Sequence, residues 1–212
     1  MNKLASGATR ALVASSLSLA LLAGLAGCAP LVVGGAMVGG VLVATDRRTT
    51  GAQIEDQGIE IKAAARVREL ATLGHVNVTS YNRVALLTGE VPDADARTRL
   101  EAAVARVENV RSVVNELAIA GASSLTSRSN DALLTTKVKA SLVDARDLYA
   151  NAFKVVTERG IVYLMGRVTE REAARGAEVA STVPGVQKVV RVFEILGEAE
   201  LRALKIEPAR AR

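Results

Sequence analysis

From residue 54 onward the apolar positions change period in a fixed order, and the whole order occurs twice. Residues 54–73 carry Ile61, Ala65 and the run 67–70 at helical spacing, while residues 129–143 carry Leu134, Val138 and Leu142 four apart. Each helix is followed by two short runs rich in β-branched residues, 76–79 with 83–91 in the first copy and 154–157 with 160–168 in the second. Such pairs predict a hairpin. An Ala-rich charged stretch comes next, 93–108 or 170–183; in the first of these, Leu100, Val104 and Val107 recur at i, i+4 and i+7, one stripe facing a sheet. A last β-branched run, 110–119 or 186–195, closes each copy, and Gly89 and Gly166 hold equivalent places 77 residues apart.

This order predicts an α+β fold of two tandem domains, residues 46–120 and 129–196, each α-β-β-α-β with its helices packed on a small three-stranded sheet. Domains of about 70 residues are marginal alone, so the copies are expected to pack against each other. The Gly- and Ser-containing stretch 121–128 reads as a linker and 197–212 as a tail that frays. Thr169 is placed to cap the helix after it. Asp93 and Asp95, at a helix start, suit capping better than paired catalysis. Lys62, Arg66 and Glu69 have the spacing of surface ion pairs.

Ahead of the repeats the pattern is that of an export signal: basic Lys3 and Arg10, an apolar stretch 11–23, then small residues before Cys28. Crossing a membrane takes about 20 apolar residues, and this run is shorter and interrupted by Ser15, Ser16 and Ser18. Cleavage is therefore expected. The motif Leu25-Ala26-Gly27-Cys28 resembles the bacterial lipobox, which implies removal of residues 1–27 and acylation, as with palmitate, of Cys28. Several acyl chains, each gaining about 0.8 kcal/mol per buried CH₂, make a lasting anchor. Ala29 follows the cysteine where an Asp would retain the protein at the inner membrane, so the same resemblance implies the periplasmic face of the outer membrane. Residues 28–45 then form an apolar tether broken by Gly34-Gly35 and Gly39-Gly40, flexible or lying against the membrane.

Composition narrows the chemistry. With no Trp, two Phe and three Tyr, stacking platforms for bases are scarce, which argues against single-stranded nucleic acid as a partner. A single cysteine excludes an internal disulfide, and His75 alone cannot build a His/Cys metal site. No nucleophile stands with a base, Gly89 and Gly166 are not part of a phosphate loop, and no cofactor is expected. Losing the leader removes Lys3 and Arg10 and no acid, taking the net charge from +5 to +3. That charge is unevenly divided. Residues 46–120 hold 10 basic and 11 acidic side chains, whereas residues 128–196 hold 11 and 8, so the second copy is the better binder of anions.

The motifs Leu87-Thr88-Gly89-Glu90-Val91 and Leu164-Met165-Gly166-Arg167-Val168, with Val183-Pro184-Gly185-Val186 before the last strand, resemble those of the BON-domain family in both copies. With the lipobox, the resemblance narrows to the dual-BON outer-membrane lipoproteins of Gram-negative bacteria. It implies a non-enzymatic protein that binds anionic phospholipid through its second BON domain and supports envelope integrity, with a role at cell division. The lipid-facing stretch implied is Leu133, Leu134, Lys137, Val138, Lys139 and Leu142. Spacing puts Leu134, Val138 and Leu142 on one stripe suited to a core and leaves Leu133, Lys137 and Lys139 outside it. Lysine stems lie along apolar surface while their ammonium groups meet phosphate, and Leu133 enters the interface. The alternative is an adaptor whose partners are envelope proteins, such as an assembly machine or a peptidoglycan enzyme.

Overall fold

The computed structural model describes residues 46–70 and 74–204. The leader, Cys28 and the tether lie outside the described residues. The first copy contains α1 (Thr50–Leu70), β1 (His75–Tyr81), β2 (Val84–Val91), α2 (Ala94–Ala105), β3 (Ser112–Asn115) and β4 (Ala118–Ile119). The second contains α3 (Leu125–Asp144), a 3₁₀ turn (Ala150–Ala152), β5 (Phe153–Glu158), β6 (Ile161–Val168), α4 (Glu170–Ser181) and β7 (Lys188–Ile195), followed by α5 (Glu198–Ala203). The expected α-β-β-α-β order is present twice, with the last run of the first copy split into two short strands.

In each sheet the middle strand pairs antiparallel with its hairpin partner and parallel with the strand that returns after the helix: β1-β2-β3, with β4 further along β2, and β5-β6-β7. The hairpins turn on two residues of positive φ, Asn82 (48°) with Arg83 (66°) and Arg159 (54°) with Gly160 (72°). Paired positive φ values match the right-handed twist of the strands they join. A buried carboxylate from the preceding helix pins each turn. Asp56 accepts from the Asn82 and Arg83 amides at 2.7 and 2.8 Å, and Asp131 accepts from the Arg159 and Gly160 amides at 2.9 and 2.8 Å.

The central strands are buried on both faces, which explains their nearly continuous apolar character. One face of β2, with Ala85, Leu87 and Val91, packs on Ile59, Ala63 and Val67 of α1 and Leu100 and Val104 of α2. Likewise Val162, Leu164 and Val168 of β6 pack on α3 and α4. The opposite faces meet each other: Tyr81 and Leu86 of the first sheet cluster with Tyr163 and Met165 of the second. The layers therefore run helices, sheet, sheet, helices, and the copies share a core, as their small size led us to expect.

Close approach accounts for the two equivalent glycines. A Cβ on Gly89, whose φ is +113°, would lie 1.9 Å from the His75 carbonyl oxygen, and one on Gly166 would lie 2.3 Å from that of Ala152. Both caps form as expected. Asp93 accepts from the Ala96 amide at 2.6 Å, and Thr169 with Glu172 makes a reciprocal capping box.

Three expectations require correction. The positions read on α1 do not form one inward stripe: Ile61 is 71% exposed and Leu70 is exposed, and of the run 67–70 only Val67 faces in, beside Asp56, Ile59 and Ala63. Helix α3 begins at Leu125 instead of 129, because Ser124 accepts from the Ser127 amide and starts it within the expected linker. Part of the expected fraying tail is helix α5, held by buried Leu201 and by Glu200, whose carboxylate meets Arg167 at 2.7 Å. Residues 205–212 lie outside the described residues.

Candidate functional site

The described residues that the lipid expectation singled out all lie on α3, and the helix divides them. Leu134, Val138 and Leu142 point into the core of the second copy, packed with Phe153, Val162 and Leu164. Presenting them to a lipid would unpack the domain, so their place in the lipid-facing stretch is corrected. Leu133 is 62% exposed, and Lys137 and Lys139 are exposed as well. Leu133 and Lys137, one helical turn apart, line an open groove of about 790 Å³. Lys139 does not line it, because two residues further along a helix lies about 200° around the axis.

Loops build the rest of the groove. Asp131, on the buried face of α3, holds the Arg159–Gly160 turn by two amide bonds and so places Arg159 on the wall shared with Lys137. The Gln187 amide donates to the Gly160 carbonyl at 2.9 Å, joining that turn to the loop with Pro184 and Gly185. Gly185 has φ +103°, and a Cβ there would sit 3.5 Å from Leu134. Thr135 donates its hydroxyl to the Thr157 hydroxyl at 2.8 Å, locking α3 to β5 behind the groove. Sequence reasoning missed Arg159 and Gln187. The signal available was the repeat itself, since Asp131 stands before its turn as Asp56 stands before Asn82-Arg83.

Neither Lys137 nor Arg159 has an acidic side-chain partner among the described residues. Acids lie deeper. The Glu90 carboxylate accepts from the Ser123 amide at 3.1 Å, while its other oxygen and the Ser123 hydroxyl are buried with no partner among the described residues. Burial pushes the Glu158 carboxyl above the usual glutamate range; the Asn77 side chain, donating at 3.0 Å, opposes this, and Glu90 and Asp131 reinforce it. His75 is structural, its ring nitrogens 3.1 Å from the Asn77 amide group and 3.4 Å from Arg128. Burial and that guanidinium hold its pKa below the ordinary histidine value. The groove therefore has cationic and apolar walls over a buried acidic floor. Among the described residues no cluster of His, Cys, Asp or Glu could hold a metal ion, and no helix is long and apolar enough to cross a membrane.

At the far end of β6 the segment leading into α1 is fastened to the second copy. Both terminal nitrogens of Arg47 meet Glu172 at 2.7 Å, and one also donates to the Arg167 carbonyl at 3.0 Å. Arg167 returns a bond of 2.9 Å to the Arg47 carbonyl. Arg48 is held by Asp46 and by Asp56 of the first copy, with its guanidinium 4.3 Å from the centre of the Tyr81 ring.

Residues 57–121 and 130–197 each match the BON domain. The outer membrane lipoprotein DolP of Haemophilus influenzae is 42% identical over 176 residues, covering 81% of this chain and 90% of that protein. The 21 kDa hemolysin of Actinobacillus pleuropneumoniae is 33% identical over 151 residues, covering 70% of this chain and 78% of its own length. Among solved structures, CdsD, a structural protein of the type III secretion system of Chlamydia trachomatis, aligns with a TM-score of 0.28 at 14% identity over 73% of this chain and 97% of that chain.

Proposed function

Because this chain belongs to the BON-domain family and is an outer-membrane lipoprotein with two such domains, we propose that it binds anionic phospholipid through the second one and thereby supports envelope integrity, including at the division site. The acyl anchor is assigned to Cys28. The observation that carries the reading is the pairing of exposed Leu133 with Lys137 on one wall of a groove that also takes in Arg159, in the more basic copy. Cations near an anionic leaflet contribute about 1 kcal/mol each, and a body already tethered needs only such a bias. Phosphate would meet the two cations and Leu133 would enter the acyl boundary, with Lys139 adding charge from the helix's other flank. No step of bond-making is involved, so the reading is non-enzymatic.

The test is co-sedimentation of residues 46–212 with phosphatidylcholine vesicles, with and without phosphatidylglycerol or cardiolipin. Binding is expected only with the anionic lipid, and Lys137→Glu with Arg159→Glu should weaken it by about tenfold or more. Equal, negligible binding to both vesicles would end the lipid reading.

A further inference from the structure

We propose that the outer edge of β7 is a strand-addition site for an extended, acidic segment of another envelope protein. The surface is separate from the groove beside Lys137 and shares no residue with it. Strand β7 runs eight residues and, among the described residues, pairs on one side only, with β6. The Leu196 amide closes the ladder on the Val168 carbonyl at 2.9 Å. Counting back in twos along a parallel ladder turns the backbone groups of Val192 and Val190 inward and those of Phe193, Arg191 and Val189 outward. Among the described residues no strand pairs with that side. An open row of donors and acceptors on a long strand is a template for a further strand.

A second feature shows which side chains such a strand would carry. Beneath the edge, between the two sheets, lies a groove of about 540 Å³ lined in part by Val190, Val192, Val114 and Tyr81. Side chains of an added strand alternate between faces, so every second one would drop into this groove against its apolar wall of Val190, Val192 and Val114. Those between them would stand on the face where Arg191 is exposed and has no acidic partner among the described residues. Lys188, exposed at the start of β7, adds positive charge. The acids bordering the groove do not cancel it. Glu194 is occupied by Asn82, Arg111 and Arg167, which leaves Glu116. Apolar residues alternating with acidic ones meet both requirements.

The test uses the full-length chain in detergent micelles and an eight-residue peptide alternating valine and glutamate, with a valine–lysine peptide as control. Hydrogen exchange at the Val189, Arg191 and Phe193 amides should slow at least tenfold with the glutamate peptide and not with the control. Arg191→Pro removes an outward amide and should abolish binding, whereas Arg191→Ala keeps the amide and should bind several-fold more weakly. Should Arg191→Pro fail to fold, amide protection and the Arg191→Ala affinity decide the matter. Unchanged exchange at millimolar peptide would overturn the proposal. Protection that grows with protein concentration without peptide would also overturn it, making a second copy the occupant.

Discussion

Burial alone would push the Glu172 carboxyl upward, but the Arg47 guanidinium and the Thr169 amide and hydroxyl outweigh it and hold the group below the usual glutamate range. Asp56 behaves alike: burial is outweighed by the Ser80 hydroxyl, the Arg83 and Asn82 amides and Arg48. A carboxyl depressed in the folded state contributes stability that is fully present above its unfolded pKa and lost as pH falls through the folded one. The melting temperature is therefore expected to fall as pH drops below the ordinary carboxylate range, more shallowly in Glu172→Gln. At neutral pH that variant leaves Arg47 buried without its countercharge, and breaking such a pair costs about 3–5 kcal/mol. Urea titration at both pH values checks the two statements. Gly89→Ala should lose about 1–3 kcal/mol by the same measurement, since a positive φ and the His75 carbonyl leave no room for a methyl group.

Helix α3 sets two adjacent leucines against each other. Leu134→Ala removes packing from a closed core and is expected to cost about 2–5 kcal/mol. Leu133→Ser should leave stability within about 0.5 kcal/mol while lowering binding to anionic vesicles. Parallel urea and vesicle titrations would separate the two; equal destabilisation by both would mean that Leu133 is packed. Spacing alone distinguished these residues on α3, because its inward face carries three aliphatic residues. On α1 the same reasoning caught only Val67 of the inward face. Its inward side, like that of α3, starts with a buried carboxylate that pins a hairpin turn, but it continues through small Ala63, while Ile54, Ile61 and Leu70 on the exposed side compete for the same period. Helix α5 was missed for a related reason: its single buried anchor, Leu201, makes no periodic stripe, and Glu200 is held by an arginine 33 residues away. Arg159 was missed because its place on the groove depends on a turn held by Asp131 across 28 residues of chain, a link that only comparison of the two copies would have suggested.

Across the whole molecule, the shared layer between the sheets makes each copy a condition for the other. Tyr163 and Met165 would stand uncovered without Tyr81 and Leu86, and ion pairs such as Lys154 with Glu60 and Arg111 with Glu194 also cross the boundary. Residues 46–204 should therefore unfold in one transition. Leu86→Ala, in the first copy, should lower the midpoint reported by both Tyr81 and Tyr163 by the same amount, at a cost of about 2–5 kcal/mol. Site-specific probes giving two separate midpoints would refute a shared core.

The Arg47 clamp also bears on mechanics. A pull on the chain from the direction of Cys28 reaches residue 47 before any helix of the first copy, and there it meets Glu172 and Arg167. The load path thus enters first through the end of β6 and the start of α4, and only then, through Arg48 and Asp56, into α1. Force applied ahead of residue 47 is therefore taken up by bonds to the second copy before it can draw on α1.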